Sequence, residues 1–184
     1  SWASSTLGID TTENITLVQG NIPETDKWDP NKQVSILDTY LHLSEPYLEK
    51  KNQIIIWPET AIPIFESQAK PFLNLVDRIA KKHNNTILSG IPIESEGNLY
   101  NGALAIGSGH GRYLKQHLVP FGEYMPMQEY LSSVLQYFSI PMSDFTAGPK
   151  NQPLIKINNI NLRIYNCYES AFPELVSSQL DNAD

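Results

Sequence analysis

Apolar residues along the chain switch between a two-residue and a 3.6-residue period, and the switches mark out its elements. Ile15-Thr16-Leu17-Val18-Gln19, closed by Gly20, predicts a first strand. Asp29-Pro30 predicts a helix start, with Asp29 as N-cap and Pro30 at the first helical position. Val34, Leu37, Leu41 and Leu48 share one face of that helix, and Pro46 predicts a kink or an early end. Ile54-Ile55-Ile56-Trp57, stopped by Pro58, predicts a buried strand. Phe72, Leu75, Val76, Ile79 and Ala80 fall at i, i+3, i+4, i+7 and i+8, the spacing of an amphipathic helix. Thr86–Ile91 and Leu99–Ile106 read as the next strands. Gly107-Ser108-Gly109-His110-Gly111 reads as a hairpin turn into Arg112–Leu114; it lacks the Lys-Ser/Thr and helix that a phosphate loop requires. Met127, Tyr130, Leu131, Val134, Leu135 and Phe138 form a second helical stripe. Leu154–Ile157 and Ile160–Tyr165, joined at Asn158-Asn159, predict a hairpin, and a helix around Glu174–Leu180 ends the chain. Strands alternating with helices indicate an α/β domain, and the hairpins make its sheet mixed.

At 184 residues, 41% of them hydrophobic and 18% charged, the chain is ordinary globular material of one-domain size. Its formal net charge of −7, with lysines and arginines scattered, argues against a nucleic-acid surface. The single cysteine, Cys167, permits no internal disulfide. No apolar stretch approaches the roughly 18 residues of a membrane helix. His42, His83, His110 and His117 lack metal-ligand spacing, so no metal site is expected. The start at Ser1-Trp2, without an initiator Met or signal peptide, leads to the expectation that the chain was cut from something longer.

Three segments place a reactive side chain at a strand end: Glu59 after Trp57-Pro58, Lys115 after Arg112-Tyr113-Leu114, and Cys167 after Ile160–Tyr165. A nucleophile between strand and helix is exposed by the bend, and the helix N-terminus favours thiolate or oxyanion charge. A carboxylate to take the thiol proton, a thiolate to attack a carbonyl and an ammonium to stabilise the oxyanion suffice for acyl transfer. Taken singly, each has a plainer reading: a small buried cysteine, a loop or capping glutamate, a solvated lysine.

As a set, Trp57-Pro58-Glu59-Thr60, the run Lys115-Gln116-His117-Leu118-Val119-Pro120-Phe121-Gly122-Glu123 and Cys167-Tyr168-Glu169 occur in the order used by the nitrilase (carbon–nitrogen hydrolase) superfamily. Val18-Gln19-Gly20-Asn21-Ile22-Pro23, Lys27-Trp28 and His117 through Glu123 resemble, within it, the apolipoprotein N-acyltransferases. The resemblance runs from about Ile15 to Glu174. It implies a nitrilase-like mixed-sheet sandwich with flanking helices, present in part. It also implies Glu59 as general base, Lys115 as oxyanion-stabilising lysine and Cys167 as nucleophile. Glu123, Tyr168 and Glu169 match supporting active-site residues, and Trp28 an aromatic residue near the substrate, although packing at a helix edge explains Trp28 equally well. The implied parent enzyme sits in the bacterial inner membrane with this domain on the periplasmic side. It moves an acyl chain from a phospholipid donor, through a cysteine thioester, to the N-terminal amine of a diacylated lipoprotein, without metal, ATP or other cofactor.

A nitrilase-type domain continues beyond the nucleophile helix with further sheet, and the acyltransferases add a membrane domain. Residues 1–184 are therefore expected to be a catalytic domain lacking its C-terminal part and the membrane domain. On its own it is expected to be catalytically silent and prone to self-association through an open sheet edge beside Ile160–Tyr165, a strand expected to be central in the complete sheet. Phe121 through Phe145 is expected to form an apolar lid over the cleft. Two other functions fit the same residues: a soluble amidase acting on a C–N bond, and a silent nitrilase-like binding module.

Overall fold

The computed structural model describes residues 13–119, 123 and 145–171. The expected helices Met127–Phe138 and Glu174–Leu180, and the lid between Phe121 and Phe145, lie outside the described residues apart from Glu123 and Phe145.

Five strands form one mixed sheet in the order β1 (Asn14–Leu17), β2 (Gln53–Ile56), β3 (Thr86–Ser95), β4 (Asn98–Gly107) and β5 (Arg112–Leu114). The first three run parallel, as their helical crossovers require, and β3-β4-β5 is an antiparallel meander. The glycine-rich segment between β4 and β5 is the expected hairpin connection.

Register divides the sheet into two faces. On one, Ile55, Ile87, Ile91, Ile93 and Ile106 pack against two helices, α2 (Gln33–Leu48) and α3 (Glu66–Lys81). α3 seats Ala69, Val76 and Ala80 in the core at helical spacing. Asn85, wholly buried, fastens the end of α2 to the sheet: its amide donates to the Leu48 and Lys50 carbonyls at 2.9 Å and its oxygen accepts from Gln53 N at 2.8 Å. Carbonyls that the helix end leaves unpaired are thereby satisfied. On the other face, Ile54, Leu88 and Tyr113 meet Ile155 and Ile157 of a second, two-stranded sheet, β6 (Ile155–Ile157) and β7 (Ile160–Leu162).

Four expectations are corrected. The helix after Asp29-Pro30 begins only at Gln33, because the Asp29 carboxylate closes its own turn, accepting from Asn31 N at 2.9 Å and Asn31 Nδ2 at 3.0 Å. Val34 is consequently 77% exposed, and the buried stripe is Ile36, Leu37, Tyr40, Ser44 and Leu48. Pro46 sits within the last turn of α2, which runs on to Leu48. The strand before Cys167 stops at Leu162; among the described residues it pairs only with β6, in the second layer and not in the five-stranded sheet. The physical reason is alternation: buried Ile155 and Ile157 flank exposed Lys156, a pattern that lays a separate hairpin on the first sheet. A short helix that the apolar periodicity does not reveal, α1 (Glu24–Lys27), precedes α2.

Candidate active site

The site forms at the second face, where three loops converge. β2 hands the chain to Trp57, whose ring is anchored in the core between Tyr40 and Phe72 and whose Nε1 donates to buried Ser44 Oγ at 2.8 Å. Gly90 N then donates to Pro58 O and Ile62 N to Gly90 O, so residues 58–62 lie against β3. This close approach needs a glycine at position 90 and a left-handed backbone at Thr60, where φ is 53°. Glu59 is thereby held over the sheet.

Strand alternation supplies its partners. Ala103 of β4 faces Tyr113 of β5, and two residues further along each strand come Asn101 and Lys115, joined by Lys115 N donating to Asn101 O at 2.8 Å. The Lys115 side chain is only 1% exposed. Its Nζ lies 2.8 Å from Glu59 Oε1, 3.0 Å from Glu123 Oε1 and 2.9 Å from Glu123 Oε2. Asn101 Nδ2 donates to the same two oxygens, at 2.6 Å to Glu59 Oε1 and 2.5 Å to Glu123 Oε1. An amide turned the other way would aim its oxygen at two carboxylates, so the orientation is fixed by chemistry. Glu123 Oε2 additionally accepts from Val119 N at 2.8 Å. Glu59 Oε1 thus carries two donors, while among the described residues its Oε2 accepts no hydrogen bond and is open to take a proton.

Burial by itself lowers the proton affinity of the Lys115 ammonium, but the hydrogen bonds and charges of Glu59 and Glu123 outweigh it and hold its pKa above the ordinary lysine value. Lys115 is therefore a fixed cation and not a base.

The third loop follows β7. Cys167–Ala171 form a short 3₁₀ helix, which places the backbone of Cys167 at a strand-to-helix turn; the side chains of Cys167 and Tyr168 lie outside the described residues. Glu169 is completely buried, and among the described residues it shares no hydrogen bond with Glu59, Glu123 or the Lys115 ammonium. Its Oε1 accepts from Tyr113 OH (2.7 Å), Gln116 N (2.7 Å) and His117 N (3.1 Å), and its Oε2 from Asn166 N (2.9 Å). Trp28 caps α1 and is partly buried; among the described residues no hydrogen bond ties it to the Lys115 cluster.

The structure thus brings Glu59, Lys115 and Glu123 together and joins the turn of Cys167 to the loop of Lys115. Sequence reasoning missed Asn101, Gly90 and Tyr113. The signals for two of them were there: asparagine is depleted in strands and Asn101 stands inside one, and a glycine inside a strand marks a close backbone approach.

The carbon–nitrogen hydrolase family model matches residues 14–184. The chain is 43% identical over 170 residues to the apolipoprotein N-acyltransferase of Coxiella burnetii, covering 91% of this chain and 35% of that protein. It is 39% identical over 169 residues to the apolipoprotein N-acyltransferase of Pseudomonas aeruginosa PAO1, covering 89% and 33%. The chain therefore spans about a third of the length of these curated relatives. Among solved structures, a CN-hydrolase superfamily protein of Xanthomonas campestris with an arsenic adduct in its active site superposes with a TM-score of 0.59 at 23% identity, over 86% of this chain and 54% of that one. A carbon–nitrogen hydrolase of Helicobacter pylori G27 gives 0.59 at 13% identity, over 93% and 57%. These two likenesses concern the fold alone. Motif order, fold and family match agree: the chain belongs to the carbon–nitrogen hydrolase family.

Proposed function

We propose that this chain carries the acyl-transfer chemistry of an apolipoprotein N-acyltransferase, with Glu59, Lys115 and Cys167 as its catalytic groups. The observation that carries the reading is the buried Lys115 ammonium, bracketed by two carboxylates next to the turn that bears the cysteine. The similarity to apolipoprotein N-acyltransferases supplies the substrate class.

In the first half-reaction Glu59 Oε2 takes the Cys167 thiol proton and the thiolate attacks an ester carbonyl of a phospholipid. Lys115 faces the developing oxyanion. The C–O bond breaks, the proton passes to the departing lysophospholipid hydroxyl, and an acyl thioester remains on Cys167. In the second half-reaction the α-amine of a diacylglyceryl-cysteine attacks the thioester and gives its proton to Glu59. The C–S bond breaks, the amide forms and the thiol is restored. Neither half needs a redox partner or ATP, since ester, thioester and amine lead downhill to amide. Glu123 and Asn101 hold Glu59 and Lys115 in register; Tyr168, beside the nucleophile, and Trp28 are assigned to the substrate side. In the intact protein the domain faces the periplasm from the bacterial inner membrane, where both lipid substrates are at hand.

The test is acyl capture. Intact protein incubated with phospholipid and digested for mass analysis is expected to carry an acyl adduct on the Cys167 peptide. Cys167→Ser and Glu59→Gln are expected to carry none. An adduct at the same site in Cys167→Ser would overturn the assignment. Rapid hydrolysis of simple amides with no transfer from phospholipid would favour the amidase reading instead.

A further inference from the structure

Glu169 is a wholly buried carboxylate with four donors converging on it, and among the described residues no hydrogen bond or ion pair joins it to Lys115 Nζ, Glu59 or Glu123. Three of its donors are backbone amides that any sequence would supply: Gln116 and His117, immediately after Lys115, and Asn166, immediately before Cys167. The fourth is a side chain, the Tyr113 hydroxyl, at 2.7 Å. Tyr113 lies on β5 with its ring 3% exposed, packed with Ile54, Leu88, Ile155 and Ile157. The ring is thus fixed by both sheets, whereas the amides it stands beside belong to loops.

We propose that Tyr113 is a positioning residue of the acyl-transfer site: through Glu169 it fixes the turn bearing Cys167 against the loop bearing Lys115. The geometry supports this from both ends. Lys115 is set against the sheet by its own backbone, its N donating to Asn101 O of β4 and its O accepting from Gly148 N in the segment before β6, both at 2.8 Å. Among the described residues the cysteine turn has no equivalent strand pairing, because β7 ends at Leu162, five residues before Cys167. The Glu169 carboxylate attaches it to the lysine loop, accepting from Asn166 N with one oxygen and from Tyr113, Gln116 and His117 with the other. A carboxylate offers about two lone-pair sites on each oxygen, and here three donors crowd onto Oε1 while Oε2 takes one. Deleting the phenol removes the one donor anchored in the sheet core and leaves the carboxylate bound to loop amides. Buried carboxylates settle where their donors are, and an ångström of drift at the nucleophile is enough to slow attack by up to roughly a hundredfold.

The inference rests on the acyl-transfer reading only in taking Cys167 as the nucleophile, and the experiment separates the two. Cys167 alkylation by iodoacetamide, read at the peptide level, needs no lipid and reports the reactivity of the thiol directly. In the intact protein, Tyr113→Phe is expected to slow alkylation and to lower kcat roughly tenfold with the phospholipid KM unchanged. Glu169→Gln, whose single carbonyl and NH₂ cannot serve all four donors, is expected to slow both further. Adding Tyr113→Phe to Glu169→Gln is expected to change neither rate again, since the phenol acts only through the carboxylate. Wild-type alkylation and kcat in folded Tyr113→Phe would overturn the proposal, as would losses that multiply in the double variant. If Tyr113→Phe does not accumulate as folded protein, Glu169→Gln decides: unchanged alkylation in it overturns the proposal. Normal alkylation kinetics in the wild type without any acyl adduct would instead sink the acyltransferase reading and leave the positioning role standing.

Discussion

Gly90 lies so close beneath the Glu59–Thr60 peptide that a Cβ placed on it would stand 2.3 Å from the Thr60 nitrogen and 2.7 Å from the Glu59 Cα. Both contacts are with backbone, which cannot swing aside as a side chain can. The backbone that carries Glu59 is therefore positioned by the absence of a methyl group on the neighbouring strand. Gly90→Ala is expected to cost about 1–3 kcal/mol by overpacking. It is also expected to lower acyl-adduct formation on Cys167 more than about tenfold, because Glu59 must rise away from Lys115. Thermal unfolding and adduct mass analysis check the two arms, and wild-type values in both would mean that the strand accommodates the methyl.

Lys115 faces two carboxylates that accept its protons and share its charge. Lys115→Met leaves Glu59 and Glu123 facing each other without a cation, on a side of the sheet where Glu123 is only 13% exposed. Removing one partner of a buried pair costs about 3–5 kcal/mol, and the partial exposure of Glu59 places the expected loss near the lower figure. Acyl transfer is expected to be abolished. Adding Glu123→Gln to Lys115→Met should recover stability, by removing one of the opposed charges, while leaving activity at zero. Denaturant unfolding of the three proteins tests this; a double variant less stable than Lys115→Met would show that the carboxylates do not repel across the vacated space.

The sequence made much of this site legible because the strands end where the apolar runs end. Ile54–Trp57 and Arg112–Leu114 deliver Glu59 and Lys115 to one end of the sheet, and the hairpin turn at Asn158-Asn159 fixes the approach to Cys167. What escaped it depends on pairing between distant segments. Asn101 matters only because the β4–β5 register sets it beside Lys115, and Gly90 only because residues 58–62 cross β3 at that point. The Asp29 misreading has the opposite origin. Its carboxylate had a local use, the turn to Asn31, that competed with capping the helix, and the nearer donors won. Likewise, Ile160–Tyr165 alternates like a strand throughout, yet only its first three residues find a partner in β6.

The Cys167 turn should also report its tether to Glu169 without any lipid. With Asn166 N bound to Glu169 Oε2 and Glu169 N to Asn166 O, the start of the 3₁₀ helix is closed on itself. Amide hydrogen exchange at residues 166–169 is expected to be slow in the intact protein and to rise toward loop rates in Glu169→Ala. Equal exchange in both proteins would mean that other contacts hold the turn.

Alkaline stability tests the buried phenol. Burial, and then the hydrogen bond and charge of Glu169, hold the Tyr113 pKa well above its ordinary value of 10.0. For Lys115 burial works in the lowering direction, but Glu59 and Glu123 prevail and its pKa lies above 10.5. In the unfolded chain both groups lose their protons near those ordinary values, whereas the folded protein retains them. Above about pH 10 the folded state therefore binds more protons than the unfolded one, so their contribution is complete below that pH and falls as the pH rises through the window above it. Tyr113→Phe removes one of these protons from the balance. Its stability should accordingly decline less steeply than wild type above pH 10, by up to about 1.4 kcal/mol per pH unit, so that the gap between the two proteins narrows as the solution becomes more alkaline. Urea midpoints of both proteins between pH 8 and pH 11 measure this. Parallel curves across that range would mean that the phenol titrates alike in the folded and unfolded states, and that its bond to Glu169 does not hold its proton.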